Sequence, residues 1–299
     1  MTSILNLLAF IYYYLPQTLQ KAAGALLGAF FYAFKYRAQV VDQNLKYAFP
    51  TEVQTRDRVF RQAYTHFGNL ILEVLLLFGP MKKFIKKRAD LIGVENWRRA
   101  LDKNQGVIFL SSHVGNWEMM AATGALLAPM DLMIVTKHLK PQWLHESIEK
   151  ARARCGVKAT YEPSTLKDVL RQLKSGQTVG FVLDQYAGPP VGVRVPVFGV
   201  PVGTMTAVAF LAKRTGAAVV PVVNFRTPDG RIRTEIHPEL EWISDPDPSR
   251  EIAINTAQYA KVMEQDIYLH PDQWLWIHRR FKGDLSPLKI DEWTLPRKR

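Results

Sequence analysis

The run SSHVGNWE at 111–118 combines a histidine, a carboxylate and a Gly-Asn pair that favours a turn. A histidine can take up a proton near neutral pH, and a carboxylate can hold its ring in one tautomer. His113 is therefore a candidate general base, and Glu118 is the candidate residue that orients it. Residues five apart do not share a helical face, so this pairing requires His113 to lie in a turn ahead of a helix.

The residues around this run predict elements that would expose it at a sheet edge. Residues 106–110 are apolar and predict a buried strand, and the alanine-rich residues 119–127 predict a helix packed on a sheet. Asn116 is a candidate N-cap for this helix, and Gly115 allows a tight turn or the close approach of a ligand. The order strand, polar turn, helix is typical of ligand sites at the carboxyl ends of strands.

HVGNWE at 113–118 resembles the HxGNWE form of the HX4(D/E) motif. That motif marks the lysophospholipid acyltransferase superfamily, and this form marks its lipid A biosynthesis acyltransferase branch. The stretches at 44–50, 184–204 and 270–282 are similar to the same family. The resemblance implies a glycerolipid acyltransferase-like fold. It also implies an acyl-carrier-protein or CoA thioester as donor, and a lipid A precursor or another bacterial glycolipid or lysolipid as acceptor.

Three candidate substrate-binding residues come from the stretch 184–204. Asp184 follows a predicted strand, at the position where a ligand-facing residue belongs. Thr204 either caps the next helix or, together with the amides of the helix start, faces a phosphate or polar headgroup. Arg194, in a predicted loop rich in Gly, Pro and Val, could bind the same group or remain exposed.

Three further basic residues are candidates for binding an anionic group. In the family a basic residue follows the second core strand, and Lys137 takes that place, as a point charge without the planar fork of arginine. Arg154 matches a family arginine that precedes a glycine. Arg279, within HPDQWLWIHRRFK at 270–282, could bind phosphate or the acidic carrier. The two tryptophans of that stretch are expected to pack in the core.

The composition limits the chemistry and the partners. The chain has 299 residues, with 39 Lys and Arg against 27 Asp and Glu, a formal net charge of +12. This basic balance favours anionic lipid, an acidic carrier protein or nucleic acid as partner. The single cysteine, Cys155, excludes an internal disulfide and a cysteine-based zinc site. We expect no metal and no cofactor beyond the acyl thioester co-substrate. Hydrolase-elbow, zinc-peptidase, P-loop and dinucleotide motifs do not occur in the sequence.

The first 37 residues predict a membrane-attachment segment. The apolar runs 4–15 and 22–34 each fall short of the roughly 20 residues that a spanning helix needs. Together they could form an interrupted span, a re-entrant hairpin, an interfacial pair or a buried hairpin of a soluble protein. Residues 81–88, MKKFIKKR, interleave cations with apolar side chains, which indicates either a membrane-surface patch or a solvated helix face.

From residue 106 onward the sequence predicts alternating strands and helices. Strands are predicted at 107–111, 132–136, 179–184, 218–225 and 232–237, and helices at 118–127, 142–154, 166–173, 204–215 and 250–268. This pattern is typical of an α/β fold with a mostly parallel central sheet flanked by helices. The predicted organisation is the attachment segment, a single acyltransferase domain at 38–284 and a loosely structured tail at 285–299.

The interpretation favoured by these patterns is a membrane-associated O-acyltransferase at the cytoplasmic face of a bacterial inner membrane. In this hypothesis His113 removes the proton from an acceptor hydroxyl, whose oxygen attacks the acyl thioester. One alternative is a non-catalytic membrane-binding protein that retains the fold. A nucleic-acid binder is the least favoured alternative, because stacking aromatic residues are sparse in the basic stretch 81–88.

Overall fold

The computed structural model describes residues 2–288, in which helices precede and then alternate with strands. The helices are α1 (Thr2–Tyr14), α2 (Gln17–Ala33), α3 (Ala38–Ala48), α4 (Val53–Leu75), α5 (Met81–Arg88), α6 (Val94–Leu101), α7 (Trp117–Leu127), α8 (Gln142–Arg154), α9 (Thr165–Lys174), α10 (Ala207–Thr215) and α11 (Pro248–Leu269). The strands are β1 (Ala89–Ile92), β2 (Val107–Ser111), β3 (Leu132–Val135), β4 (Val157–Thr160), β5 (Thr178–Val182), β6 (Gly192–Val197), β7 (Val200–Met205), β8 (Ala218–Arg226) and β9 (Ile232–Ile236). Of the predicted tail, 289–299 lie outside the described residues.

The central sheet has seven strands in the order β1-β9-β8-β2-β5-β3-β4. The strands from β8 to β4 run parallel, whereas β9 pairs antiparallel with β8 and β1 follows the direction of β9. The predicted α/β fold with a mostly parallel sheet is therefore confirmed. β2 lies near the middle, and all its residues are buried because helices cover both faces of the sheet.

Alternate residues of β2 point into two separate cores. Val107 and Phe109 pack in the cluster that includes α5, α7 and α8, whereas Ile108 and Leu110 pack with α9, α10 and α11. This burial on both faces explains why the strand is an uninterrupted apolar run in the sequence. It also makes the carboxyl end of β2 a rigid platform for the turn that follows.

The predicted strands match β2, β3, β5, β8 and β9 to within two residues at each end. The edge strands β1 and β4 are only four residues long and were not predicted. The predicted loop after residue 186 was wrong, because β6 and β7 form an antiparallel hairpin there. Thr204 consequently belongs to β7, and the helix predicted from 204 begins at Ala207 after Thr206.

The N-terminal helices α1 and α2 both pack against α4, and α1 also packs against the short 3-10 helix at Leu76–Phe78. Gly68 of α4 meets Gly24 and Gly28 of α2 so closely that a Cβ on Gly68 would lie 2.2 Å from the Gly24 carbonyl oxygen. Several large apolar side chains of α1 and α2 nevertheless remain exposed, among them Leu26 (76 %). Among the described residues, none of the helices combines the length and the apolar character that crossing a bilayer requires.

Candidate active site

His113 and Asp184 form a hydrogen-bonded pair at the carboxyl edge of the sheet. Nδ1 of His113 lies 2.6 Å from Oδ1 of Asp184. The strands that precede them, β2 and β5, are parallel neighbours in which Ser111 pairs with Val182. His113 lies two positions after the end of β2, and Asp184 lies two positions after the end of β5. The strand register therefore places the two residues side by side. Asp184 was predicted to face a ligand, and in the structure it contacts the candidate base.

The carboxylate of Asp184 is buried and accepts three hydrogen bonds. Besides the imidazole, it accepts from the backbone amide of His113 at 2.7 Å and from Nε1 of Trp274 at 2.6 Å. Burial alone would raise the pKa of this carboxyl, but the charge and hydrogen bonds of His113 and the bond from Trp274 lower it to about 2. Asp184 is therefore ionised at neutral pH, and an ionised carboxylate is an acceptor only. The proton of the neutral imidazole is thus assigned to Nδ1.

This tautomer leaves the lone pair of His113 on Nε2. The amide nitrogen of Gln185 lies 3.4 Å from Nε2, and the ring of Trp117 packs edge-on at 4.5 Å between centroids. The imidazole is buried on one side and partly accessible on the other, with a side-chain exposure of 12 %. A histidine whose one nitrogen donates to a carboxylate and whose other nitrogen keeps its lone pair has the geometry of a general base.

The turn between β2 and α7 has the predicted local structure. Asn116 is the N-cap, with its side-chain oxygen accepting from the amides of Glu118 at 3.1 Å and Met119 at 3.2 Å. Gly115 has a φ of +64°, and a Cβ there would lie 2.1 Å from the backbone oxygen of Asn224. Both the left-handed backbone and the close contact require glycine. His113 lies in the turn ahead of α7, as the pairing hypothesis demanded.

Glu118, however, has a different partner from the one that the sequence predicted. Its carboxylate accepts a fork of hydrogen bonds from Arg152 on α8, at 2.5 Å from Nη2 and 3.0 Å from Nε. Both side chains are buried, at 9 % and 6 % exposure. The first turn of α7 directs Glu118 toward α8, so the carboxylate that contacts His113 is Asp184. The prediction that Glu118 orients His113 is corrected accordingly.

Arg152 is a residue that the sequence analysis missed, although a signal for it exists. Ile148, Ala151, Arg152 and Cys155 follow the spacing of a buried helical stripe, and all four are buried in the structure. An arginine on such a stripe needs an acidic partner, because an unpaired buried charge is strongly unfavourable. The resemblance favoured Arg154 instead. Its side chain is exposed and donates to the Leu77 carbonyl, at 3.1 Å.

The other predicted binding residues differ in burial and in their contacts. Lys137 follows β3 and is exposed, as is Arg279. Arg194 lies on β6 and is bound to the C-terminal segment, with Nη1 donating to Asp284 at 2.9 Å. Thr204 is buried, and its hydroxyl accepts from Nη2 of Arg280 at 2.6 Å, so it caps no helix. The substrate-binding roles of these residues remain predictions.

Arg280 connects two parts of the chain beside the candidate base through buried hydrogen bonds. It is 1 % exposed and also donates to the carbonyls of Gly203 at 2.6 Å and Gln185 at 3.1 Å. Burial lowers the pKa of its guanidinium to about 10, against the opposing charge of Asp184. These hydrogen bonds join the end of β5 to the β6–β7 hairpin. They also fix the backbone of Gln185, whose side-chain amide lies near Nε2 of His113.

Comparison with known proteins identifies the family of this chain. Residues 1–283 match the sequence profile of the family described as bacterial lipid A biosynthesis acyltransferase. The chain belongs to this family. Its enzymes are named for acyl transfer, so the chain is an acyltransferase, and the resemblance inferred from HVGNWE is confirmed.

Individual relatives of this acyltransferase agree with the family match. The chain is 28 % identical over 273 residues to the lipid A biosynthesis palmitoleoyltransferase of Escherichia coli K12, covering 90 % of this chain and 86 % of that protein. It is also 28 % identical over 280 residues to the lipid A biosynthesis lauroyltransferase of the same organism, with coverages of 90 % and 87 %. A phosphatidylinositol mannoside acyltransferase of Mycobacterium tuberculosis is 25 % identical over 226 residues, 74 % of this chain and 69 % of that one.

In this acyltransferase the C-terminal motif completes the site. Val114 forms a β-bridge with Trp274, and the Gly115 amide donates to the Gln273 carbonyl at 2.8 Å. Trp274 and Trp276 are buried, as predicted. The segment therefore holds the turn that carries His113 from one side and supplies the indole that binds Asp184. This explains why the family resemblance at 270–282 accompanies that at 113–118.

Proposed function

We propose that the chain is a membrane-associated O-acyltransferase that moves a fatty acyl group from a thioester to a hydroxyl of a bacterial glycolipid. The donor is acyl-carrier protein or CoA, and the acceptor is a lipid A precursor or a related glycolipid or lysolipid. The relatives named for lipid A and for phosphatidylinositol mannoside support a glycolipid acceptor. The observation that carries the chemistry is the pairing of His113 with Asp184.

The proposed reaction begins with proton transfer to the free nitrogen of His113. Nε2 takes the proton of the acceptor hydroxyl as its oxygen attacks the thioester carbonyl carbon. The tetrahedral intermediate then collapses and the C–S bond breaks. The leaving thiolate accepts the proton from the imidazolium. Asp184 stabilises the imidazolium through Nδ1, and a positioned base of this kind contributes about 10²–10⁴-fold to the rate.

Glu118 and Arg152 have a separate role in this proposal. Their buried fork of hydrogen bonds joins the start of α7 to α8, so it fixes the wall of the site beside the catalytic turn. A fork between an arginine and a carboxylate is directional, which makes it a rigid link between two helices. We assign Glu118 to the architecture of the site and the proton transfer to His113.

Membrane association is proposed to occur in the plane of the bilayer surface. Exposed apolar side chains of α2, such as Leu26 and Phe30, would enter the interface. α5 buries Met81, Phe84 and Ile85 and exposes its four lysines, which favours contact with anionic headgroups. With an acceptor lipid of this class, the surface is the cytoplasmic face of the inner membrane.

The test is acyl transfer by purified protein with its lipid acceptor. Wild-type protein, His113→Ala and His237→Gln are compared, with acyl-carrier-protein and CoA thioesters as alternative donors and a lipid A precursor or a lysoglycolipid as acceptor. His237 follows the reversed strand β9 and serves as the histidine control. We expect His113→Ala to lose about 10²–10⁴-fold in rate. Full activity of that variant, or no transfer by the wild type with any pair, would refute the proposal.

A further inference from the structure

A buried ion pair that the proposed reaction does not use lies against the catalytic turn. Glu73 of α4 is 6 % exposed, and its carboxylate accepts from both Nε and Nη2 of Arg226, the latter at 2.8 Å. The same Oε2 accepts from Nδ2 of Asn116 at 3.1 Å. We infer that Glu73 is a positioning residue for acyl transfer, which acts by fixing the orientation of the Asn116 side chain. This inference rests on the proposed function.

The orientation of Asn116 follows from the chemistry of its neighbours. An amide side chain has a donor end and an acceptor end, and its two orientations differ only in which end faces which neighbour. An ionised carboxylate can only accept, so Glu73 binds the nitrogen end. The oxygen end then faces the amides of Glu118 and Met119, which is the orientation that an N-cap requires. Glu73 thus selects the capping orientation of the residue between His113 and Glu118.

The backbone of Asn116 is held independently by Asn224. Its amide donates to the side-chain oxygen of Asn224 at 3.0 Å, and Asn224 in turn donates to the hydroxyl of Thr234 at 2.8 Å. All three residues are 1 % exposed. With the backbone fixed in this way, the remaining freedom at Asn116 is the direction of its side chain, which is what Glu73 determines.

Arg226 holds the carboxylate of Glu73 in place and links it to the other side of the turn. Its backbone amide donates to the side chain of Gln273 at 2.8 Å, and the Gln273 carbonyl accepts from Gly115. Nη1 of Arg226 also donates to Nδ1 of His66, at 2.8 Å. Burial, and then the charge of Arg226, lower the pKa of His66, so this imidazole is neutral and can accept. Two hydrogen bonds from Arg226 and one from Asn116 thus hold the Glu73 carboxylate against the turn.

The pair also connects the catalytic turn with the N-terminal helix α2. Gly68 of α4 contacts Gly24 and Gly28 of α2, and Glu73 lies five residues further along α4, on a different face. One helix thus carries α2 on one side and the carboxylate that orients Asn116 on another. The position of the turn is consequently set from the same helix that positions the proposed membrane contact.

An exchange of charge between the two positions tests this inference. Glu73→Gln keeps the shape of the side chain but places an amide donor at position 73. The side-chain amide of Asn116 can then turn over and lose its capping orientation. Asn116→Asp places two carboxylates against each other. In the double variant Glu73→Gln with Asn116→Asp, the new carboxylate can accept both from the amide introduced at position 73 and from the helix amides, because aspartate is also a good N-cap.

We expect each single variant to lose about 10–100-fold in kcat, as misplacement of a reacting group does, with KM nearly unchanged. We expect the double variant to recover most of this loss.

The control is Glu251→Gln on α11. Glu251 is 8 % exposed and accepts from Lys213 and Trp242, so it matches Glu73 in burial and in having a cationic partner. We expect this variant to lower the melting temperature without lowering kcat. Unchanged kcat in Glu73→Gln, or a double variant at least as slow as the slower single one, would overturn the inference. Absence of transfer by the wild-type protein would instead count against the proposed function.

Discussion

Ser111 of β2 pairs with Val182 of β5, and this register brings His113 to within 2.6 Å of Asp184 two residues further along each strand. Neighbouring parallel strands end at the same edge of a sheet, so a base on one and its acid on the next are held by backbone hydrogen bonds. The geometry of the pair is therefore as rigid as the sheet itself.

Asp184→Asn is expected to lower kcat by about 10²–10⁴-fold while the protein remains folded. Asparagine can bind the imidazole through its NH2 group, which would leave the proton on Nε2 and remove the lone pair that the reaction needs. Initial rates between pH 6 and pH 9 measure this loss. Asp131→Asn, at an exposed salt bridge with Lys158, is the control and should retain full activity.

Removal of the Glu118 carboxylate should destabilise the protein because it leaves a buried arginine without its fork. Glu118→Ala is expected to lower the free energy of unfolding by about 1.5–3 kcal/mol, because Glu149 still accepts from Nη1 of Arg152 at 2.9 Å. Arg154→Met is the control, since Arg154 is exposed, and should change this free energy by less than about 0.5 kcal/mol. Urea unfolding of both variants provides the measurement. A larger loss in Arg154→Met than in Glu118→Ala would contradict the assignment of Arg152 as the buried partner.

Asp266 on α11 should make stability depend on pH near neutrality. Burial, with a smaller contribution from the charge of Glu235, raises the pKa of its carboxyl to about 7. Between the ordinary pKa of about 3.9 and this value the folded protein binds the extra proton, so the stabilisation present at low pH is lost as pH rises through this window.

Asp266→Asn should remove this dependence and raise the free energy of unfolding at pH 8 by up to about 4 kcal/mol, from about 1.36 kcal/mol per pKa unit. The same substitution should have little effect below about pH 4, where the acid is protonated in both states. Urea unfolding from pH 4 to pH 8 measures both limits. A wild-type stability that rises across this range, with no gain for Asp266→Asn at pH 8, would show that the buried acid has no raised pKa.

Binding to anionic vesicles should depend on the lysines of α5. We replace Lys82, Lys83, Lys86 and Lys87 by glutamate. This charge reversal should lower the partition coefficient onto phosphatidylglycerol vesicles, measured by sedimentation, by at least about 10²-fold, since each cation contributes about 1 kcal/mol near such a surface. The control is the same charge reversal at Lys167 and Lys174, which are exposed on α9. It measures the effect that the loss of net charge has by itself, per lysine. Equal effects per lysine in the two sets would show that α5 has no special place in docking.

The exposed apolar residues of α2 provide a separate test of the same docking surface. Leu26→Ser with Phe30→Ser should reduce binding to neutral and anionic vesicles alike, because apolar burial does not depend on headgroup charge. Sedimentation in high salt distinguishes the two contributions, since salt screens the lysines and not the apolar contact. Retained binding of this variant to both kinds of vesicle would exclude α2 from the docking surface.

Local patterns in the sequence were sufficient for five strands of the central sheet and for the turn that carries His113. The buried run of β2, the N-cap at Asn116 and the glycine at 115 depend on residues close in the chain, so their positions could be predicted. The same locality explains the errors. β6 and β7 bury one face against α11 and carry glycine and proline, so their residues resemble a loop until the hairpin partner is known.

The sequence by itself determined the α/β class, the family and the position of His113 in a turn between strand and helix. Tertiary structure alone decided which acid faces that histidine. Glu118 is five residues away but points to α8 from the first turn of α7, whereas Asp184 is 71 residues away and is brought alongside by strand register. Hydrogen-bond partners between elements depend on sheet order and helix direction, which sequence spacing does not encode. For the same reason Arg152, Glu73 and Arg226 emerged as parts of the site only from the fold.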